Sequence, residues 1–177
     1  MAATEPQPEA FRVLIDRPTL LQRIAELARE VRAAFPAEPP CLVAVMDGAR
    51  VFATELARHL PGFPAAHAVR ASSYGQGTQS SGQVLLAASA IPVEGRPVVI
   101  LEDIVDTGRT IDKLRTWLLA HGAVEVRVCT LLSKPSRRVV AVALDWVGFE
   151  IPDEFVIGFG MDVDGRYRDL PHVAVYR

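Results

Sequence analysis

Val98-Val99-Ile100-Leu101-Glu102-Asp103-Ile104-Val105-Asp106-Thr107-Gly108-Arg109-Thr110 decides how this chain folds. Four apolar residues, three of them β-branched, run straight into two adjacent acids, and a third acid follows three residues later. A short, continuously apolar run is the mark of a strand buried on both faces, as in a parallel sheet covered by helices. The acids therefore stand at the carboxyl end of a central strand, where open α/β sheets bind ligands. The Thr-Gly-Arg-Thr turn that follows offers backbone N–H groups and hydroxyls to a phosphate at a helix start. Neighbouring side chains on an extended strand point to opposite sides, so Glu102 and Asp103 diverge around one ligand, each free to accept from a hydroxyl. The simpler alternative is a solvated strand end with Asp106 and Thr107 as helix caps. Three acids with this turn favour a sugar-phosphate site.

Outward from that stretch, strands and helices alternate. Residues 98–101 form the central strand, and Ile111, Leu114, Trp117, Leu118 and His121 recur at helical spacing until Gly122. Upstream, residues 41–46 read as another buried strand, turned by Asp47-Gly48 into a helix over 49–60 with Val51, Phe52, Leu56 and Leu60 inward. Leu20, Leu21, Ile24, Leu27, Ala28 and Val31 mark an amphipathic helix over 18–35, ended by Pro36, Pro39 and Pro40. Strands are expected at 11–15, 65–71 and 124–132, with short β-like pieces around 146–149, 155–159 and 173–176. The alternation argues a mostly parallel sheet with helices on both faces. Residues 72–82, Ser-Ser-Tyr-Gly-Gln-Gly-Thr-Gln-Ser-Ser-Gly, are the most polar and glycine-rich stretch, read as a loop that could serve as a lid.

Bulk composition limits the options. The 177 residues suit one domain, read as a loose tail over 1–10 followed by a single unit over 11–177. A net charge of -2 gives no sign of a nucleic-acid binder. Cys41 and Cys129 lie far apart in apolar surroundings, with no metal-ligand spacing, and read as reduced core residues. No run reaches the ~20 apolar residues a membrane span needs, and residues 1–10 lack a signal-peptide layout. A cytoplasmic protein is the simplest expectation.

The layout of residues 98–110 resembles the phosphoribosyl-pyrophosphate motif of type I phosphoribosyltransferases: a strand, two acids, two apolar residues, then Asp-Thr-Gly before a basic residue and Thr. The tail narrows the likeness. Leu131-Leu132-Ser133-Lys134-Pro135, then Val147-Gly148-Phe149-Glu150-Ile151-Pro152-Asp153-Glu154-Phe155-Val156-Ile157-Gly158, then Met161-Asp162 and Arg168-Asp169-Leu170, are similar to the hypoxanthine-guanine phosphoribosyltransferases. The resemblance runs from about Cys41 to the C-terminus. It implies the type I fold: a central, mostly parallel sheet, a flexible lid loop, and a small hood built from the C-terminal segment, with the N-terminus as its other candidate part.

It also implies roles. Glu102 and Asp103 would hold the ribose hydroxyls, and Asp106, Thr107, Gly108, Arg109 and Thr110 the 5-phosphate. The amides of Asp47 and Gly48, with Arg168, would hold pyrophosphate. Phe155 would stack on the purine, Lys134 would donate to its O6, and the backbone at Val156 and Asp162 would read its other edge. Asp106 would exchange a proton with N7, and Ser73 and Tyr74 would sit at the lid tip. Magnesium is the implied cofactor, held at Glu102 and Asp103 and, for a second ion, at Asp162. The substrates would be phosphoribosyl pyrophosphate and a 6-oxopurine, with no nucleic-acid partner and no membrane, in a homodimer or homotetramer. A xanthine-preferring transferase and a regulator on the same fold that binds nucleic acid are the alternatives. Two departures stand out. The first loop of the family usually reads apolar-Lys-Gly, often with a cis peptide, but here it is Met46-Asp47-Gly48, and Arg109 replaces a common lysine.

Overall fold

A computed structural model describes residues 11–70 and 91–177. The expected tail over 1–10, the loop over 72–82 and its Ser73 and Tyr74 lie outside the described residues.

Five strands form one parallel sheet. β1 (Arg12–Ile15) leads into α1 (Arg17–Ala34), and β2 (Cys41–Met46) into α2 (Arg50–Arg58). β3 (His67–Arg70), β4 (Pro97–Val105), α3 (Arg109–Ala120), β5 (Glu125–Ser133) and β6 (Trp146–Glu150) follow. The sheet order is β3-β2-β4-β5-β6, every described pair parallel, so β4 lies in the middle. Its apolar run is explained by what covers it. Val99 and Leu101 pack with Leu20, Ile24, Leu27, Phe52 and Leu56 of α1 and α2. Val98 and Ile100 pack on the other face with Ile111, Leu114 and Leu118 of α3. Alternate residues of one strand thus serve two cores, burial of each side chain contributing roughly 1.5–3 kcal/mol.

The helix starts and stops follow local chemistry. Asp16 caps α1, its Oδ1 accepting from Thr19 N at 2.9 Å, with Pro18 in the first turn. Gly122 follows α3 at φ +92°. His121, expected on the inner face of that helix, is instead exposed at its end. Its ring stacks on Trp117 at 3.8 Å, and its Nδ1 lies 2.8 Å from the Trp117 carbonyl.

The hood forms from both ends of the chain. β7 (Val156–Ile157) and β8 (Val173–Val175) pair antiparallel, and β1 adds to the far edge of β8, giving the order β1-β8-β7. The β-like piece around 146–149 does not join the hood. It becomes β6, the edge of the main sheet, because its Trp146 is buried against α1 and β5 residues. Cys41 and Cys129 are buried free thiols. No helix among the described residues is long and apolar enough to cross a membrane.

Candidate active site

Strand β4 continues past Leu101 to Val105, so two of the acids lie within the strand and not just beyond it. The cause is pairing: Glu102 stands opposite Thr130, and Ile104 and Val105 opposite Leu132 and Ser133 of β5. Strand alternation then separates the acids. Glu102 continues the face of Val98 and Ile100, where it is buried (6 % exposed), and Asp103 continues the face of Val99 and Leu101. Burial, reinforced by the charge of Asp103, pushes the Glu102 carboxyl well above the usual carboxylate range. Burial also raises Asp103, offset in part by hydrogen bonding to Glu102 and by the positive charge of Arg168. Among the described residues neither acid has an ion-pair partner within 4.0 Å. Burial without an ion-pair partner favours the neutral form of both carboxyl groups, and a bound cation would favour their ionised forms.

Beyond the strand the chain turns at 106–108 and enters α3. The turn is not capped by a side chain: Gly108 is the N-cap, at φ 85°, and the Asp106 carboxylate is directed elsewhere. Glycine is required at 108 twice over. Its backbone is left-handed, and a Cβ there would lie 2.8 Å from the Val140 carbonyl oxygen. The Thr107 hydroxyl lies 3.4 Å from Arg109 N, and the Thr107 carbonyl accepts from Val139 N and Val140 N at 3.0 Å each. The loop is therefore fixed from behind by residues 139 and 140. Glu102, Asp106, Thr107, Gly108 and Thr110 line a cavity of about 170 Å³ closed by Val45, Ile104, Val105 and Ile111. Arg109 is exposed beside it.

A second cavity of about 240 Å³ adjoins the first and shares Ile104 and Asp106 with it. Asp103, Lys134, Phe155, Val156, Met161 and Asp162 complete its lining. Lys134 follows the last residue of β5 directly and is buried at 7 % exposure. Its Nζ has one anion within reach among the described residues, Asp153 Oδ1 at 4.0 Å. A lysine this enclosed with so distant a partner leaves donors available to a ligand acceptor. Phe155 is 54 % exposed, which suits a ring presented to the cavity and not a core residue. Its one described aromatic neighbour is Tyr176, edge-on at 6.1 Å.

The Asp47-Gly48 turn meets the same place from β2. The Met46–Asp47 peptide is cis. A Cβ on Gly48 would collide with the Asp103 carboxylate, so the loop and the acid are in close apposition. The turn's hydrogen bonds, Ala49 N to Val45 O and Arg50 N to Asp47 O, do not use the Gly48 amide. The Asp47 carboxylate points outward, 3.4 Å from the Arg70 guanidinium at the end of β3. The cation expected at position 47 has thus a counterpart on the neighbouring strand. Arg168 lies across from Asp103, with Nη2 2.8 Å from Asp162 Oδ1 and Nη1 donating to the Gly160 carbonyl at 2.9 Å. Asp162 Oδ2 accepts from Gly165 N at 2.7 Å.

Of the described residues singled out from the sequence, Glu102, Asp103, Asp106, Thr107, Gly108, Thr110, Lys134, Phe155, Val156 and Asp162 line two adjoining cavities; Asp47, Gly48, Arg109 and Arg168 do not line either, though Gly48 abuts Asp103 and Arg168 pairs with Asp162. Sequence reasoning missed Arg137 and Asp153. Arg137 Nε lies 3.2 Å from Asp106 Oδ1 and 3.7 Å from Asp153 Oδ1. The available signal was Pro135, which starts a tight turn and brings residue 137 back beside Lys134.

Comparison with known proteins identifies the family and the fold. The family model described as a phosphoribosyl transferase domain matches residues 14–164. A hypoxanthine-guanine phosphoribosyltransferase of Streptococcus thermophilus is 38% identical over 167 residues, 94% of this chain and 93% of its own length. The bifunctional protein TilS/HprT of Listeria innocua is 41% identical over 167 residues, but this chain spans only 26% of it. Among solved structures, a hypoxanthine-guanine phosphoribosyltransferase of Bacillus anthracis superposes with a TM-score of 0.87 at 36% identity, covering 94% of this chain and 98% of its own.

Proposed function

The chain belongs to the hypoxanthine-guanine phosphoribosyltransferase family, and from that premise we propose that its two cavities bind phosphoribosyl pyrophosphate and a 6-oxopurine side by side for transfer of the phosphoribosyl group to purine N9. The observation that carries this is their shared wall: Asp106 lines both the phosphate-loop cavity and the one holding Lys134 and Phe155. The 5-phosphate rests on residues 106–110 at the start of α3, where amides and helix dipole favour an anion. Glu102 and Asp103 accept from the ribose hydroxyls. The Asp47-Gly48 amides and Arg168 hold the pyrophosphate, with Arg70 a cation near its outer end.

The base lies in the second cavity. Phe155 offers a π-face to it, Lys134 donates to O6, and the backbone at Val156 and Asp162 meets its far edge. Asp106 exchanges the N7 proton, tuning the electron density that N9 brings to the sugar carbon as pyrophosphate departs. The sugar passes through a cation-like transition state, so water must be kept out, and the segment over 72–82 with Ser73 and Tyr74 is assigned that part. Residues 11–177 act as one unit, since β2, β4, β5 and the hood all contribute.

Magnesium fits the first acid pair. Glu102 and Asp103 supply hard oxygen ligands, and no group of three or more His, Cys, Asp or Glu able to hold a metal occurs among the described residues. A pair of carboxyl groups suits an ion that keeps its waters and is shared with substrate oxygens. When bound, it would neutralise charge on the departing pyrophosphate. Asp162 fits less well, because both of its oxygens already accept, from Arg168 and from Gly165 N.

The defining test is formation of inosine or guanosine monophosphate, with pyrophosphate, from phosphoribosyl pyrophosphate and hypoxanthine or guanine. No product from either base would overturn the proposal. Xanthine, run alongside, decides the alternative preference. A second expectation concerns Gly48. In Gly48→Ala the new methyl displaces the Asp103 carboxylate or the pyrophosphate turn, and the KM for phosphoribosyl pyrophosphate should rise about tenfold, since small misplacements of positioning groups are costly. The KM for the base should change far less. An unchanged KM for the sugar diphosphate would remove this turn from its binding.

A further inference from the structure

We propose that Arg137 is a positioning residue for Asp106. Its guanidinium holds one carboxylate oxygen and so turns the other toward the purine. The inference rests on the role of Asp106 given above.

The backbone at Arg137 is held in place. It ends the short 3-10 turn Pro135–Arg137, in which Arg137 N donates to the Lys134 carbonyl at 3.1 Å and Arg138 N to the Pro135 carbonyl at 3.2 Å. Pro135 fixes the entry to that turn. The next residues are tied to the chain just beyond Asp106 through the two bonds from Val139 N and Val140 N to the Thr107 carbonyl. The segments that carry donor and acceptor are therefore tied to each other by backbone, and the side-chain bond between them, Nε to Oδ1 at 3.2 Å, adds to that tie.

The same guanidinium reaches Asp153 Oδ1 at 3.7 Å, two residues before Phe155. Arg137 thus bridges the wall that carries Asp106 to the wall that carries the stacking ring. The charged groups around Asp106 are Lys134 and Arg137 from the segment after β5, Asp153 and Asp162 from the tail, and Glu102 and Asp103 from the strand that precedes it. Among the described residues, only Arg137 donates to the Asp106 carboxylate. A carboxylate rotates about a broad torsion. Proton exchange needs one oxygen within hydrogen-bond reach of N7. Holding Oδ1 leaves Oδ2 for the base, the arrangement by which a third group commonly orients a catalytic base. About half of each side chain is exposed, 49% for Arg137 and 40% for Asp106. Such pairs contribute little to folding, so the pair's use lies at the site.

The experiment is a double-mutant cycle on single-turnover rates of nucleotide formation, with Arg137→Gln, Asp106→Asn and the double variant. Single turnover keeps product release from masking the step. Arg137→Gln should slow the rate about threefold to tenfold with the KM for phosphoribosyl pyrophosphate unchanged, and the double variant should be no slower than Asp106→Asn alone. Arg137→Lys, which keeps a charge within reach of Asp106, should recover part of the loss. A wild-type rate for Arg137→Gln overturns the proposal. So does a loss that multiplies onto that of Asp106→Asn, which a merely structural role would give. A wild-type rate for Asp106→Asn overturns the role of Asp106 itself, and this inference with it. Melting temperatures identify a variant that fails to fold, in which case Arg137→Met carries the same cycle.

Discussion

Asp106→Asn is expected to slow nucleotide formation at least about tenfold, since a positioned proton-transfer group typically contributes a factor of 10²–10⁴. Asparagine has the shape of aspartate and can still accept from Arg137, but it cannot take up and return a proton at N7. The sugar diphosphate should bind nearly as before. Its proposed ribose acceptors, Glu102 and Asp103, lie on β4 and are untouched, and the loop proposed to bind phosphate is held from behind by Val139 and Val140 and not by the Asp106 side chain. A fall in kcat with little change in the KM for phosphoribosyl pyrophosphate is therefore the signature. Turnover within about twofold of the parent, on the scale where substitutions are read as free energies, would take Asp106 out of the chemistry. A tenfold rise in that KM with kcat preserved would make it a phosphate ligand instead.

Much of this geometry is legible in the sequence because it depends on short-range rules. The apolar run before Glu102 fixes a strand covered on both faces, and strand alternation sends Glu102 and Asp103 to opposite sides. The structure keeps both features. What local rules miss is pairing across the sheet. Residues 102–105 read as a strand end, yet β5 extends far enough to pair with them, and this buries Glu102. The 146–149 piece has nothing local that separates a hood strand from a sheet edge; burial of Trp146 against α1 decides it. His121 shows the reverse: helical spacing places it inward, but the helix has already ended, and its ring finds Trp117.

Site residues divide in the same way. A sugar-phosphate site can be proposed from the acids and the Thr-Gly turn alone, because they fall within nine residues, 102–110. The residues proposed to read the base cannot be assigned this way. Lys134, Phe155 and Asp162 are far apart in sequence and ordinary one by one, and only resemblance to a family brought them together before the fold did. Arg137 and Arg70 lay beyond both approaches. Each acts through an ion pair with a residue distant in sequence, Asp106 and Asp47 respectively. At position 47 the departure from Lys to Asp is met by Arg70 on the adjacent strand, a pairing fixed by the register of Met46 with Arg70.

Discrimination against adenine should be the largest effect this site shows. Lys134 is enclosed just past the end of β5, with Asp153 at 4.0 Å as its one near anion among the described residues. An oxygen at the 6-position of a purine accepts from the ammonium. An amino group there brings donor against donor and leaves a buried charge without compensation. Sites built around such a bond reject the analogue lacking it by factors of roughly 10⁴–10⁵, so kcat/KM for adenine should lie at least about 10³-fold below that for hypoxanthine. Lys134→Met, similar in length and without charge, should collapse this ratio, and mainly by loss of hypoxanthine use. The bond it removes stabilised only the oxo base, and Phe155 stacking serves both bases alike. Initial rates with both bases over a range of concentrations decide the matter. Efficient use of adenine by the parent chain would remove Lys134 from base selection. A ratio unchanged in Lys134→Met would place selection in the backbone at Val156 and Asp162, where no side-chain substitution reaches it directly.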